Sequence, residues 1–241
     1  MMTNKIAAVA RTALLALLAG TAAGSVALGL AAPAEASAGG IVYGDPAAAA
    51  KWWRLQKYDD CAIMASADIV GQMTGNEPSE HAIIEVARST PSTRHPGSIY
   101  IQPADPQHPD SGNGTNRLDI PALLAHYGVG SKTTDDDEAA GNGIATGMDA
   151  LKHYLGSGHA VIVSVNAEMI WGEPIENKDD EGNPVSDHAV VVTGVDTRKG
   201  VVHLNDSGSK NGRDEQIPLE LFAKAWATSH HFLLYTVATV K

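Results

Sequence analysis

The chain has 241 residues, with 17 Lys or Arg against 28 Asp or Glu and a formal net charge of −11. An acidic surface of this kind excludes nucleic acid and anionic lipid as natural partners, because both would be repelled. There is one cysteine, so no internal disulfide can form, and 44% hydrophobic residues suffice for one domain with a sizeable core.

In chain order, Lys5 and Arg11 make a basic start, residues 12 to 34 are uncharged, and Ala36-Ser37-Ala38 is an A-x-A cleavage signal. Residues 1–38 are therefore expected to be a secretory signal peptide, cut before Gly39. An uncleaved anchor is the alternative, since the uncharged run is long enough to span a bilayer. The expected product is secreted or held at the cell envelope, without stable membrane insertion. It comprises a loose N-terminal arm at 39–50 and one domain at 51–241.

A helix is expected from Asp60. Ile63, Ala67 and Val70 follow a 3.6-residue period, and few polar residues interrupt the run, so the helix should be largely buried. Gly71 counts against a helix interior, and Gly75 is a stop signal. "SEHAIIEVARS" is a second helix with Ser79 as its N-cap. Residues 89 to 117, rich in Pro, Ser, Gly and Asn, read as a long surface loop. "LDIPALLAHYG" is a third helix, "DDDEAAGNG" a solvated acidic connector, and "GMDALKHYLGSG" a fourth helix. The pattern then turns to strands: "HAVIVSV", "DHAVVVTGVD", "VVHLND" and "HHFLLYTVATV", with a short helix at "IPLELFAKAWATS". Helices first and an antiparallel sheet second predict an α+β fold.

Cys61 stands out because exported proteins usually pair their cysteines. A lone thiol there is an intermolecular link, an inert core residue or a nucleophile. Its place in the first turn of a helix favours a thiolate, through the helix dipole and unpaired N–H groups. Asp59 and Asp60 act either as caps or as charges that oppose the thiolate. A nucleophilic thiol needs a base. His188 opens an apolar strand, and reflection through the following hairpin turn gives it a partner between positions 206 and 210. Asp206 lies at the near edge of that range, and Asn205 replaces it after a one-residue slip. Cys61, His188 and Asp206 are thus the candidate triad.

The stretches "LQKYDDCAIMASADIVGQMTG", "GSGHAVIVSVN", "DHAVVVTGVD", "VVHLNDSG" and "IPLELFAKAWATS" resemble papain-like cysteine peptidases of family C thirty-nine, the double-glycine-leader type, in their exported stand-alone form. The resemblance implies a papain-like fold, with N-terminal helices packed on a C-terminal antiparallel sheet. It implies Cys61 as nucleophile, His188 as base and Asp206 as its orienter. It also implies Gln56 as an oxyanion donor beside the Cys61 N–H, although Gln56 precedes Cys61 by five positions where six is usual. Ala62 stands where the family often has Gly. Neither an ATPase nor a multi-span domain accompanies these motifs, so the transporter-linked substrate does not carry over.

The expected function is peptide-bond hydrolysis through a thioester, on a peptide or protein substrate and with no cofactor. The alternatives are a cell-wall peptide amidase or acyl transferase on the same fold, and an idle domain that binds a peptide. "NKDDEGNPVSDH" opens like a calcium loop but ends on His188 where a bidentate Glu is needed, so it reads as a solvated loop. His230 and His231 adjoin in an expected strand and would point to opposite faces. Trp52 and Trp53 are expected to cover the core, and Trp171 either walls a cleft or packs inside.

Overall fold

The computed structural model describes residues 40–101 and 114–240. The signal peptide expected at 1–38 and the centre of the expected loop lie outside these residues. The described chain begins with β1 (Val42–Gly44) and α1 (Pro46–Ala49), continued by a 3-10 turn over Ala50–Trp52. The arm is therefore not loose. Asp45 caps α1 by accepting the Ala48 N–H, Pro46 pre-sets its first turn, and β1 pairs with a later strand.

Next come α2 (Cys61–Thr74) and α3 (Glu80–Ser89), the latter capped by Ser79, whose side chain accepts from the Ala82 N–H. A 3-10 turn at Arg117–Asp119 leads into α4 (Ile120–His126) and β2 (Ser131–Thr134). The acidic stretch expected as a solvated connector is instead α5 (Asp136–Asn142). Asp135 caps it by accepting from Asp137 N and Glu138 N, and acids in its first turn face the positive end of the dipole. Then follow α6 (Met148–Gly156), β3 (Val161–Val165) and the short α7 (Ala167–Trp171). The chain closes with β4 (His188–Asp196), β5 (Val201–Asn205), β6 (Glu215–Pro218), α8 (Leu219–Ala227) and β7 (Leu233–Thr236). His230 and His231 lie ahead of β7, both at positive φ, in a turn and not a strand.

The seven strands form one sheet in the order β2-β7-β3-β4-β5-β6, with β1 also paired to β4. Every named pairing is antiparallel. Alternation along β3 and β4 divides the core. Val161, Val163, Val190 and Val192 face Leu151, Phe222 and Trp226, while Ile162 and Val191 face Ala62, Ala65 and Ile69 of α2. A third cluster packs Ile63 and Ala67 of α2 against Ile83 and Ile84 of α3 and Leu123 of α4. Apolar partners thus surround α2. Each fully buried Ile or Leu in these layers contributes about 1.5–3 kcal/mol of transfer free energy. Gly71 has a packing reason: a Cβ there would lie 2.6 Å from Trp52 Cε3.

Candidate active site

Cys61 is the first residue of α2 and is half-buried. Burial of α2 between the sheet and α3 fixes where this thiol points. His188 is the first residue of β4, paired with Val165 of β3, and is 6% exposed. Asp206 follows the last residue of β5 and is fully buried. In the β4–β5 ladder Val191 faces Asn205, with an irregularity between Val192 and Gly194. Asp206 is thus one step beyond the paired residues and reaches His188 diagonally. The position close against the imidazole is Gly208, where a Cβ would lie 3.0 Å from His188 Cε1.

His188 Nε2 lies 2.6 Å from Asp206 Oδ1. An ionised carboxylate only accepts, so Nε2 donates and Nδ1 is left as the acceptor nitrogen of a neutral ring. Cys61 faces the same imidazole and favours its protonated form. Burial opposes a positive His188, but Cys61 and Asp206 outweigh it and raise its pKa well above 6.5. Burial likewise opposes a charged Asp206, and the His188 bond and charge with the Trp171 and Gly208 donors hold its pKa below the usual carboxylate range.

Asp206 is gripped on every polar atom. Its Oδ1 also accepts from Gly208 N at 2.8 Å, and its Oδ2 accepts from Trp171 Nε1 at 2.8 Å. Its carbonyl accepts from Trp53 Nε1 at 2.6 Å, and its N–H donates to Gly212 O at 2.8 Å. Trp171 also covers His188, with ring centroids 5.3 Å apart, while staying 38% exposed. It touches both His188 and Asp206 from an exposed position, so it does not pack inside the core. Trp53 does more than cover the core. The sequence signal for Gly208 was the hairpin reflection itself, whose range included that position.

Gln56 reaches this centre through Ser207. Its N–H donates to Ser207 O at 2.9 Å, and its Oε1 accepts from Ser207 Oγ at 2.7 Å. Its Nε2 donates to Tyr58 O at 2.9 Å. An amide carries two such hydrogens, so the other is uncommitted. Asn205 is not an orienter of His188, because its amide is committed to Asp68 and Ala49.

The aspartate directly before the thiol behaves unlike a cap. Asp60 holds the N-cap position without any side-chain cap bond, is 1% exposed, and has no partner for either carboxyl oxygen. Burial, then Glu80 and Asp59, push its pKa up to about 8. The Tyr58 and Asp60 N–H groups favour the charged form weakly, yet neither meets hydrogen-bond geometry. At neutral pH Asp60 therefore carries a proton and puts no full negative charge beside the sulfur. Among the described residues no group of three His, Cys, Asp or Glu side chains is arranged to hold a metal ion. No helix among them is long and apolar enough to cross a membrane.

The family model described as "Peptidase_C39 like family" matches residues 50–232. The chain belongs to that family. Proteins similar to this family member include an uncharacterized protein of Mycobacterium tuberculosis and one of Mycobacterium bovis. Each is 66% identical over 236 residues, covering 98% of this chain and 100% of the relative. A crystal structure of a putative C39-like peptidase from Bacillus anthracis superposes with a TM-score of 0.53 at 14% identity, covering 83% of this chain and 100% of that one. This likeness concerns the fold: helices on an antiparallel sheet, in the α+β arrangement of papain-like peptidases. Membership of this family supports a peptidase-type function.

Proposed function

We propose that the chain is a cysteine peptidase that hydrolyses peptide bonds with Cys61, His188 and Asp206. The observation that carries this reading is one imidazole bonded to a buried carboxylate at 2.6 Å through Nε2 while the only cysteine acts on it from α2. His188 Nδ1 takes the thiol proton, and the sulfur attacks the carbonyl carbon of the substrate. The Cys61 N–H and the free hydrogen of Gln56 Nε2 hold the oxyanion, where one such donor is worth about 3 kcal/mol of barrier. The C–N bond then breaks, and the imidazolium gives its proton to the departing amine. Water, deprotonated by His188, cleaves the thioester and releases the acid and the free thiol. Asp206 keeps the imidazole in the tautomer and orientation these steps need.

The substrate in this reading is a peptide or protein, met outside the cytoplasm after export on residues 1–38. The test is hydrolysis of a peptide library by the purified chain and by Cys61→Ala. Cleavage by the wild type alone is expected. Equal cleavage by both would contradict the reading, as would no cleavage of any peptide by a folded wild type.

A further inference from the structure

Asn205 sits beside Asp206 in sequence, yet it points into a different network. Its Nδ2 donates to Asp68 Oδ2 at 2.7 Å and to Ala49 O at 3.0 Å, and its Oδ1 accepts from Asp214 N at 3.3 Å. Asp68 Oδ1 in turn accepts from Gln72 Nε2 at 2.7 Å. Asn205 is 3% exposed and Asp68 4%. Every hydrogen-bonding group of the Asn205 amide is therefore used, in a buried setting where a lost partner is costly.

The placement of the two ends matters. Asp68 lies seven positions after Cys61 on α2, two turns along the same helix face. Asn205 is the last residue of β5, and the next residue is the carboxylate that orients His188. The bond spans the gap between the helix that begins with the thiol and the strand that ends one residue before the carboxylate. Apolar contact between helix and sheet is non-directional and tolerates sliding. A buried amide–carboxylate bond does not, because it fixes distance and angle.

We propose that Asn205 and Asp68 are positioning residues that hold α2 and β5 in the register at which Cys61 meets His188. Neither touches the reacting atoms, and both act through the elements they join. This inference rests on the peptidase reading of the site.

The chain has one cysteine, so alkylation by iodoacetamide reports Cys61 without knowledge of the substrate. The readout is the alkylation rate at about pH 6.5 divided by that at about pH 9.5, either side of the free-thiol pKa of about 8.5. At the lower pH only a thiol paired with its imidazole reacts well. Asn205→Ala and Asp68→Ala are expected to lower this ratio by about tenfold to a hundredfold, the cost of a misplacement near 1 Å. Asp68→Asn is expected to keep it, because an amide still accepts from Asn205 while Gln72 turns to offer its oxygen. Phe222→Leu, on the far face of the sheet, is expected to cost stability and leave the ratio alone. A wild-type ratio in both alanine variants would overturn the proposal, as would an equal fall in Phe222→Leu. A wild type with no elevated rate at the lower pH would instead overturn the peptidase reading beneath it.

Discussion

Asp60 and Asp206 are both buried next to Cys61 and His188, and their surroundings drive them in opposite directions. Asp206 receives His188, Trp171 and Gly208 as donors, so it stays charged despite burial. Asp60 has no donor in bonding geometry and faces Glu80 and Asp59, so it stays neutral up to about pH 8. The consequence for stability has a definite sign. An unfolded Asp60 ionises near 3.8 while the folded one keeps its proton to about 8. Its stabilising contribution is therefore full below the unfolded value and is lost as pH rises through the folded one. Asp60→Asn, neutral at every pH, should match the wild type in thermal unfolding near pH 4. It should be more stable by at least about 2 kcal/mol near pH 8.5. Parallel curves for the two proteins would contradict a neutral Asp60. Trp171→Phe keeps the ring over His188 but removes the donor to Asp206 Oδ2, leaving a buried carboxylate oxygen short of a partner at a cost of about 1–3 kcal/mol. Steady-state hydrolysis should show kcat lower by about tenfold with KM little changed. A change in KM alone would mean that Trp171 only contacts substrate.

Among the elements, those with an unbroken apolar period were legible and those set by a single cap or by distant pairing were not. The run after Cys61 and the strands opened by Val161 and His188 are buried on several sides, and their sequences read that way. The helix at Asp136–Asn142 escaped because its composition is that of a solvated loop, and only the Asp135 cap reveals it. β6 escaped because its alternation covers just four residues and needs β5 to complete it. The same difference predicts two glycine substitutions of opposite sign. Gly71→Ala gains helix propensity but forces a methyl to 2.6 Å from the Trp52 ring, and should cost about 1–3 kcal/mol in denaturant unfolding. Gly141→Ala in α5 meets nothing within 4 Å and should gain about 0.5–1 kcal/mol. The pair His188–Asp206 was legible because hairpin geometry bounds the partner of a strand's first residue. Its fastening to Trp171, Trp53 and Gly212 was not, since those contacts join segments far apart in sequence. The commitment of Asn205 to Asp68 was hidden for the same reason.

At the scale of the whole molecule, buried carboxyls shape the response to pH. Burial raises Asp68 to about 6 and Glu77 and Glu215 to about 7, alongside Asp60. Their contributions are complete below the ordinary carboxylate range and are lost as pH climbs through these values. Asp119 and Asp206 lie below their usual value, so what they contribute is present above it and lost on acidification. The net charge of −11 adds repulsion that grows with pH. Thermal unfolding should therefore be most resistant in the mildly acidic range and decline steadily from about pH 6 to pH 9. A maximum above pH 8 would contradict these charge states. Whether His188 serves the Cys61 thiol is read from the rate of iodoacetamide alkylation at neutral pH in the wild type and in a folded His188→Ala variant. Clearly faster alkylation of the wild type is expected, and equal rates in the two proteins would contradict that role for His188.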